Sequence, residues 1–205
     1  HYRRQYDTVF VHMNPEYAIL GGLFWRLSHK KVLLWYTHKS VDFKLRVATL
    51  FATKIFTASK ESFRLSSKKV EVVGHGIDVE HFAVQRWQKN SGDLDLLSVG
   101  RITPSKDLRT IIKAIDYLLV TKKSDLSIDL DIVGDAILAA DKKYKDELQK
   151  GLVVSVQFLG TKNYNQMPNV YQTHNLLVHT SKTGSMDKVV LEALAAGRIV
   201  VTSSE

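Results

Sequence analysis

The 205-residue chain contains no cysteine. That absence excludes a disulfide framework, a thiol nucleophile and cysteine-ligated zinc, and it fits a reducing compartment. No run approaches the ~18 consecutive apolar residues that a membrane-spanning helix requires, and no signal peptide is visible. Low-complexity tracts and fixed-period repeats are lacking too. No basic stretch is interleaved with aromatics in the manner of a nucleic-acid-binding motif, so no nucleic-acid partner is expected. What is present is an ordinary globular composition, 44% hydrophobic and 24% charged. The net charge of +8 suits an anionic partner: anionic lipid, nucleic acid or a phosphorylated ligand. The basic residues are scattered apart from pairs such as Lys30–Lys31 and Lys142–Lys143. That scatter favours a phosphorylated ligand, with peripheral membrane-surface contact as a second expectation.

The stretch LLVHTSKTGSMDKVVLEALAAGRIVVTSS, from Leu176 to Ser204, reads strand, loop, helix, strand. Its helix is apolar nearly all round, which predicts burial on most sides. Ser185 or Asp187 can cap its start, and Gly197 stands where a C′ glycine belongs. Glu192 breaks the apolar pattern, and a buried carboxylate requires a partner. A ligand bearing hydroxyl groups would serve, as would a basic residue from elsewhere in the fold.

Taken in order, residues 7–73 alternate strands and helices. Strands are predicted at 7–12, 31–36, 54–58 and 70–73, and helices at 17–27, 42–52 and 60–65, the last capped by Ser59. Residues 77–93 read as a polar inter-domain linker. A second alternating series starts at Leu94, with strands at 94–99, 128–133, 153–159 and 176–179. Helices are predicted at 108–120, 139–150 and 165–173. Such alternation implies parallel sheets with helices on their faces. The chain opens at His1 rather than Met, and Ser203–Ser204–Glu205 follows a strand with no closing helix, so it is read as a fragment.

In open parallel sheets, ligands sit beyond the carboxyl ends of the strands. Gly100 lets the chain turn sharply as it leaves the sheet. Arg101 and Lys106 then flank the start of a helix, whose free N–H groups attract anions. Together they make a diphosphate site; read separately, they are equally two solvated loop cations. Phe158–Leu159–Gly160 ends another strand, either as an apolar shelf for a flat base or as plain core. Glu192 can accept both hydroxyl hydrogens of a ribose. Phosphate, base and ribose features in one series point to a nucleotide.

The segments VVGHGIDVEHF, LLSVGRITPSKDLRTIIKAI, DIVGD, VQFLG and LLVHTSKTGSMDKVVLEALAAGRIVVTS resemble the retaining glycosyltransferases of the GT-B fold, in the large family-4 group. The resemblance covers about the last two thirds of the chain. It implies two Rossmann-like parallel-sheet domains, the first incomplete: residues 1–76 from an acceptor-side domain, a linker at 77–93, and a nucleotide-sugar-binding domain from 94 to 205. It implies a nucleotide-diphosphate-sugar donor, a lipid-linked or polysaccharide acceptor and retention of configuration. Arg101 and Lys106 match the pair that neutralises the diphosphate, after Gly100. Glu192 matches the ribose-holding Glu, and Phe158, Leu159 and Gly160 match the base-side strand end. Ser185, Met186 and Asp187 fall in the sugar-binding loop. His38 matches the histidine near the sugar, with His12 as runner-up. The resemblance implies no bound metal and a cytoplasmic enzyme at the inner face of the membrane. It also leaves a second reading, a nucleotide-binding module without catalysis. The chain departs from the family pattern at Gly184, where the first Glu of E-x7-E should stand, at His75 in place of Asn, and at Asp107 in place of Gly.

Overall fold

The computed structural model describes residues 4–83, 94–121, 127–150, 154–182 and 187–203. These divide into two compact units, the first His1–Gly76 and the second Ile77–Thr183 with Asp187–Glu205.

The first unit is a four-stranded parallel sheet in the order β1-β2-β3-β4. Its strands are β1 (Thr8–His12), β2 (Lys31–Trp35), β3 (Lys54–Thr57) and β4 (Val70–Val72). Helices α1 (Pro15–Leu27) and α2 (Phe43–Phe51) form the crossovers. Because the strand order runs one way, right-handed crossovers place both helices on the same face. There Val11, Val32, Leu34 and Ile55 are buried with Ala18, Leu45 and Ala48. Asp42 caps α2 by accepting from the Leu45 N–H at 2.8 Å. The helix expected over 60–65 does not form. Ser59 and Ser62 share a 3.0 Å hydroxyl contact, and buried Phe63 draws the segment onto the core after a single turn.

The second unit begins inside the segment read as linker. Residues Val79–Phe82 form a short helix, α3, with Asp78 accepting from the His81 N–H at 3.0 Å. Phe82 is fully buried among Tyr171, Leu177 and Ala193, so this part of 77–93 belongs to a core. A single aromatic in a polar run carries too little periodicity to announce that. Residues 84–93 lie outside the described residues.

A five-stranded parallel sheet follows in the order β7-β6-β5-β8-β9. The strands are β5 (Leu94–Val99), β6 (Ile128–Val133), β7 (Ser155–Gly160), β8 (Leu176–His179) and β9 (Ile199–Thr202). The helices are α4 (Leu108–Asp116), α5 (Ala139–Gln149), α6 (Met167–Thr173) and α7 (Lys188–Ala195). The chain runs outward through β5, β6 and β7, then returns to the other side of β5. This reversal covers both faces of the sheet. Leu108, Ile111, Ile115, Tyr144 and Leu148 from α4 and α5 fill one core cluster; Met167, Tyr171, Ala193 and Ala196 from α6 and α7 fill the other. Helix α4 ends earlier than its apolar pattern predicts, passing into a wide π-type turn at Tyr117–Thr121.

Helix α7 corrects an expectation. Its sequence predicts burial on most sides, yet Ala193 is its only buried residue and Leu194 is 55% exposed. It packs next to the sheet-edge strand β9, where Ile199 and Val201 are exposed as well. Its C-terminus ends as predicted. Gly197 is left-handed, with φ of 69°. The Arg198 and Gly197 N–H groups reach the Ala193 and Leu194 carbonyls at 2.9 and 3.0 Å, a Schellman ending.

Candidate functional site

The reversal of strand order falls between β5 and β8, and a doubly wound sheet opens a crevice at that point. The loops leaving these two neighbouring strands are tied together by side chains. Thr180 Oγ1 donates to the Lys106 and Asp107 carbonyls, both at 3.0 Å. The Lys182 N–H donates to the Ser105 carbonyl at 2.8 Å. Lys182 Nζ lies 2.8 Å from Asp107 Oδ2, and Thr110 Oγ1 donates to the same oxygen at 2.8 Å. The Lys182 hydrogen bond holds the Asp107 carboxyl below its ordinary range. Asp107 itself is left-handed, with φ of 48°. This explains why glycine suits the position, and Asp is among the side chains that tolerate it best.

Lys106 ends a tight 3-10 turn, Pro104–Lys106. Its aliphatic stem passes over Gly100: a Cβ at Gly100 would lie 3.5 Å from Lys106 Cε. Its ammonium is paired with Asp187 Oδ2 and donates to Ser181 Oγ at 3.4 Å. On the other side of Asp187, buried His179 places Nε2 2.8 Å from the same oxygen, though not aligned for a full hydrogen bond. Burial alone would raise the Asp187 carboxyl. The contacts with His179 and Lys106 overcome that and hold it down at about 2. Asp187 stands at the N-cap position of α7, yet its side chain makes no capping hydrogen bond. The expected cap is absent because Lys106 and His179 claim the carboxylate.

The ends of β5, β6 and β7 are joined differently, through the backbone. The Gly100 N–H donates to the Val133 carbonyl at 2.9 Å, the Gly134 N–H to the Gly160 carbonyl at 2.9 Å, and the Ile102 N–H to the Asp135 carbonyl at 3.0 Å. Gly134 permits this packing. It has φ of 134°, and a Cβ there would meet the Gly100 carbonyl oxygen at 2.0 Å. Lys145 pairs with Asp135 at 2.9 Å, and its ammonium lies 5.6 Å from the centre of the Phe158 ring.

The sequence-derived candidates distribute as follows. Gly100 and Lys106 adjoin one another at the β5 end. Arg101 is exposed, and its side chain has no hydrogen-bond or ion-pair partner among the described residues. Phe158 and Leu159 are half-buried and pack against clusters on opposite faces of the sheet, so they do not make one continuous shelf. Glu192 is half-buried rather than buried, and among the described residues its partner is a phenol rather than a basic side chain. Tyr171 donates its phenol hydrogen to Glu192 Oε2 at 3.0 Å. Burial and the Glu192 charge push the Tyr171 phenol well up. Ser185, Met186 and Gly184 lie outside the described residues. His38 and His12 belong to the first unit. His38 is exposed in the loop after β2 and accepts from the Ser40 N–H through Nδ1 at 3.1 Å; His12 closes β1, also exposed. Sequence reasoning singled out the loop from Thr180 to Lys188 but gave His179, at the end of β8, no role. Three polar residues at the carboxyl end of a buried strand were the available signal. Among the described residues there is no group of three or more His, Cys, Asp or Glu able to hold a metal. No helix among them is long and apolar enough to cross a membrane.

A parallel sheet whose strand order reverses beside β5 defines a doubly wound α/β unit of the Rossmann kind. Comparison with known proteins gives the particular class. The model of the family "Glycosyl transferases group 1" matches residues 80–205, and the chain belongs to that family. An uncharacterized glycosyltransferase of Methanocaldococcus jannaschii is 27% identical over 178 residues, which are 77% of this chain and 44% of that protein. Among solved structures, Anabaena HepE in complex with UDP superposes with a TM-score of 0.78 at 19% identity, covering 97% of this chain and 60% of that one. A trehalose-6-phosphate synthase, from work on glycosyl transfer with retention, gives a TM-score of 0.70 at 13% identity, covering 97% and 59%. These likenesses show the GT-B fold. The chain thus spans 44% of its curated relative and about three fifths of these solved chains.

Proposed function

We propose that the full-length protein transfers a sugar, with retention of anomeric configuration, from a nucleotide-diphosphate-sugar donor to a lipid-linked or polysaccharide acceptor. Residues 94–205, with the short helix at Val79–Phe82 packed into their core, hold the donor, residues 1–76 belong to the acceptor side, and the remainder of 77–93 connects them. The observation that carries the reading is the half-buried Lys106 ammonium at the β5–β8 crevice, with exposed Arg101 five residues before it. In this role the two cations neutralise the diphosphate and stabilise the departing nucleoside diphosphate as the glycosidic bond breaks. Gly100 lets the chain turn there. Tyr171 occupies only Glu192 Oε2, which leaves Oε1 for a ribose hydroxyl. Phe158, Leu159 and Gly160 lie on the base side. Ser185, Met186 and Asp187 belong to the sugar loop, and His38 to the sugar's neighbourhood in the first unit. The reading uses no bound metal. It places the enzyme in the cytoplasm, in peripheral contact with the membrane.

Nucleotide complexes among the structural relatives support the donor class: HepE was solved with UDP and with UDP-glucose. The test is a donor screen on the full-length enzyme, with the product anomer read by NMR. Retention of the donor's configuration is expected, and an inverted product overturns the mechanism. Gly184 in place of the family's first Glu favours a second reading, a nucleotide-binding module without turnover. That reading predicts equal affinity for nucleoside diphosphates and nucleotide sugars in calorimetry, and no product.

A further inference from the structure

We infer that Asp187 is a positioning residue for the diphosphate-facing lysine, acting on the reaction through Lys106 rather than by touching the sugar. The inference rests on the donor-site reading above and adds to it the role of one carboxylate.

Three observations carry it. Asp187 occupies the N-cap position of α7 with extended backbone angles, φ −82° and ψ 132°, and Asp is a preferred capping side chain there. It makes no cap, so its orientation is set by something stronger. That something is the ammonium of Lys106, a charge-assisted contact worth roughly twice a neutral one. Second, the carboxylate is held from both sides. His179 stands behind it at 2.8 Å and is itself buried, so Asp187 cannot swing away without leaving both partners. Third, Lys106 is a flexible chain ending in a point charge, with rotamer entropy to lose on ordering. Asp187 and Ser181 engage two of its three hydrogens, and the stem lies along Gly100. The ordering is therefore complete before a donor arrives, and the third hydrogen remains for a phosphate oxygen. The low pKa of Asp187 keeps its carboxylate ionised throughout the neutral range.

The arrangement makes a prediction that a sugar-binding carboxylate would not. Removing Asp187 matters only while Lys106 is present. The experiment is a double-mutant cycle in the full-length enzyme with its best nucleotide-sugar donor, using Asp187→Asn, Lys106→Ala and the double variant. Calorimetric titration with UDP, GDP and ADP runs in parallel. Asp187→Asn should lower kcat about tenfold, the lower range for a lost charge-assisted hydrogen bond. The donor KM should change less, and the same substitution in the Lys106→Ala background should change kcat less than twofold. Asp187→Glu, which restores the charge, should recover part of the loss, and it keeps the test open if the Asn variant folds poorly. Equal losses in both backgrounds would assign Asp187 to the sugar and overturn the inference. A variant that binds nucleoside diphosphate more tightly at unchanged kcat would make Asp187 a mere competitor for the lysine, and overturn it as well. A Glu variant no better than Asn would also overturn it. If the unmutated enzyme binds none of the three nucleotides and transfers no sugar, the donor-site reading itself fails. If it binds and turns over while the Asp187 variants match it, only this inference fails.

Discussion

The two sides of the strand-order reversal are fastened by different means. From β5 outward to β7, the strand ends meet through backbone hydrogen bonds, and close approach is bought with glycine at Gly134. Across the reversal, from β5 to β8, the loops come from segments more than 70 residues apart and, besides the one backbone bond from the Lys182 N–H to the Ser105 carbonyl, meet mainly through side chains: Thr180, Lys182 with Asp107, and Lys106 with Asp187. Backbone joints are indifferent to protonation and to most substitutions beyond the glycine. Side-chain joints respond to pH, to charge and to an arriving anion. The proposed donor site lies on the side built from groups that can exchange a protein partner for a ligand.

That contrast can be broken in graded ways. The largest effect is expected at Lys106. Lys106→Ala should lower transfer by about 10²–10³, the range seen when one preorganised charge-stabilising group is removed; kcat for the full-length enzyme measures it. On the backbone side, Gly134→Ala should cost stability rather than turnover chemistry. Its positive φ alone carries about 1–3 kcal/mol of strain for a non-glycine residue, before the clash with the Gly100 carbonyl is counted. A thermal melt that leaves the midpoint unchanged would refute the close approach.

Next comes the pH response. Asp187 titrates at about 2 in the fold against 3.8 when free. A depressed carboxylate adds stability that is fully present above the free value and is lost as pH falls through the folded one. The contribution is up to about 2 kcal/mol. Melting curves should therefore show the gap between the unmutated protein and Asp187→Asn narrowing from pH 5 to pH 2; a constant gap contradicts the ion pair. The smallest effect belongs to Thr180→Val, which removes one hydroxyl shared by two carbonyls and should cost about 1 kcal/mol in denaturant unfolding.

The alternation of strands and helices was legible in the sequence because buried parallel strands are short apolar runs and their helices are longer and amphipathic. The Gly197 helix end was readable on local chemistry alone. What escaped was decided by distant contacts. Phe82 turned part of a supposed linker into core. Ser59 and Ser62 stopped a helix after one turn. At the crevice, Lys106 and Glu192 were visible as polar interruptions, but their partners were not. Tyr171 lies 21 residues from Glu192 and Asp187 lies 81 from Lys106, and nothing in the local pattern connects them.

The central claim is that the cations leaving β5 receive a diphosphate. Calorimetric titration of the full-length protein with UDP, GDP and ADP tests it most directly, comparing the unmutated chain with Arg101→Ala and Lys106→Ala. The account predicts binding of at least one nucleotide by the unmutated protein and affinity at least tenfold weaker in each variant. Undiminished affinity in both variants would contradict it.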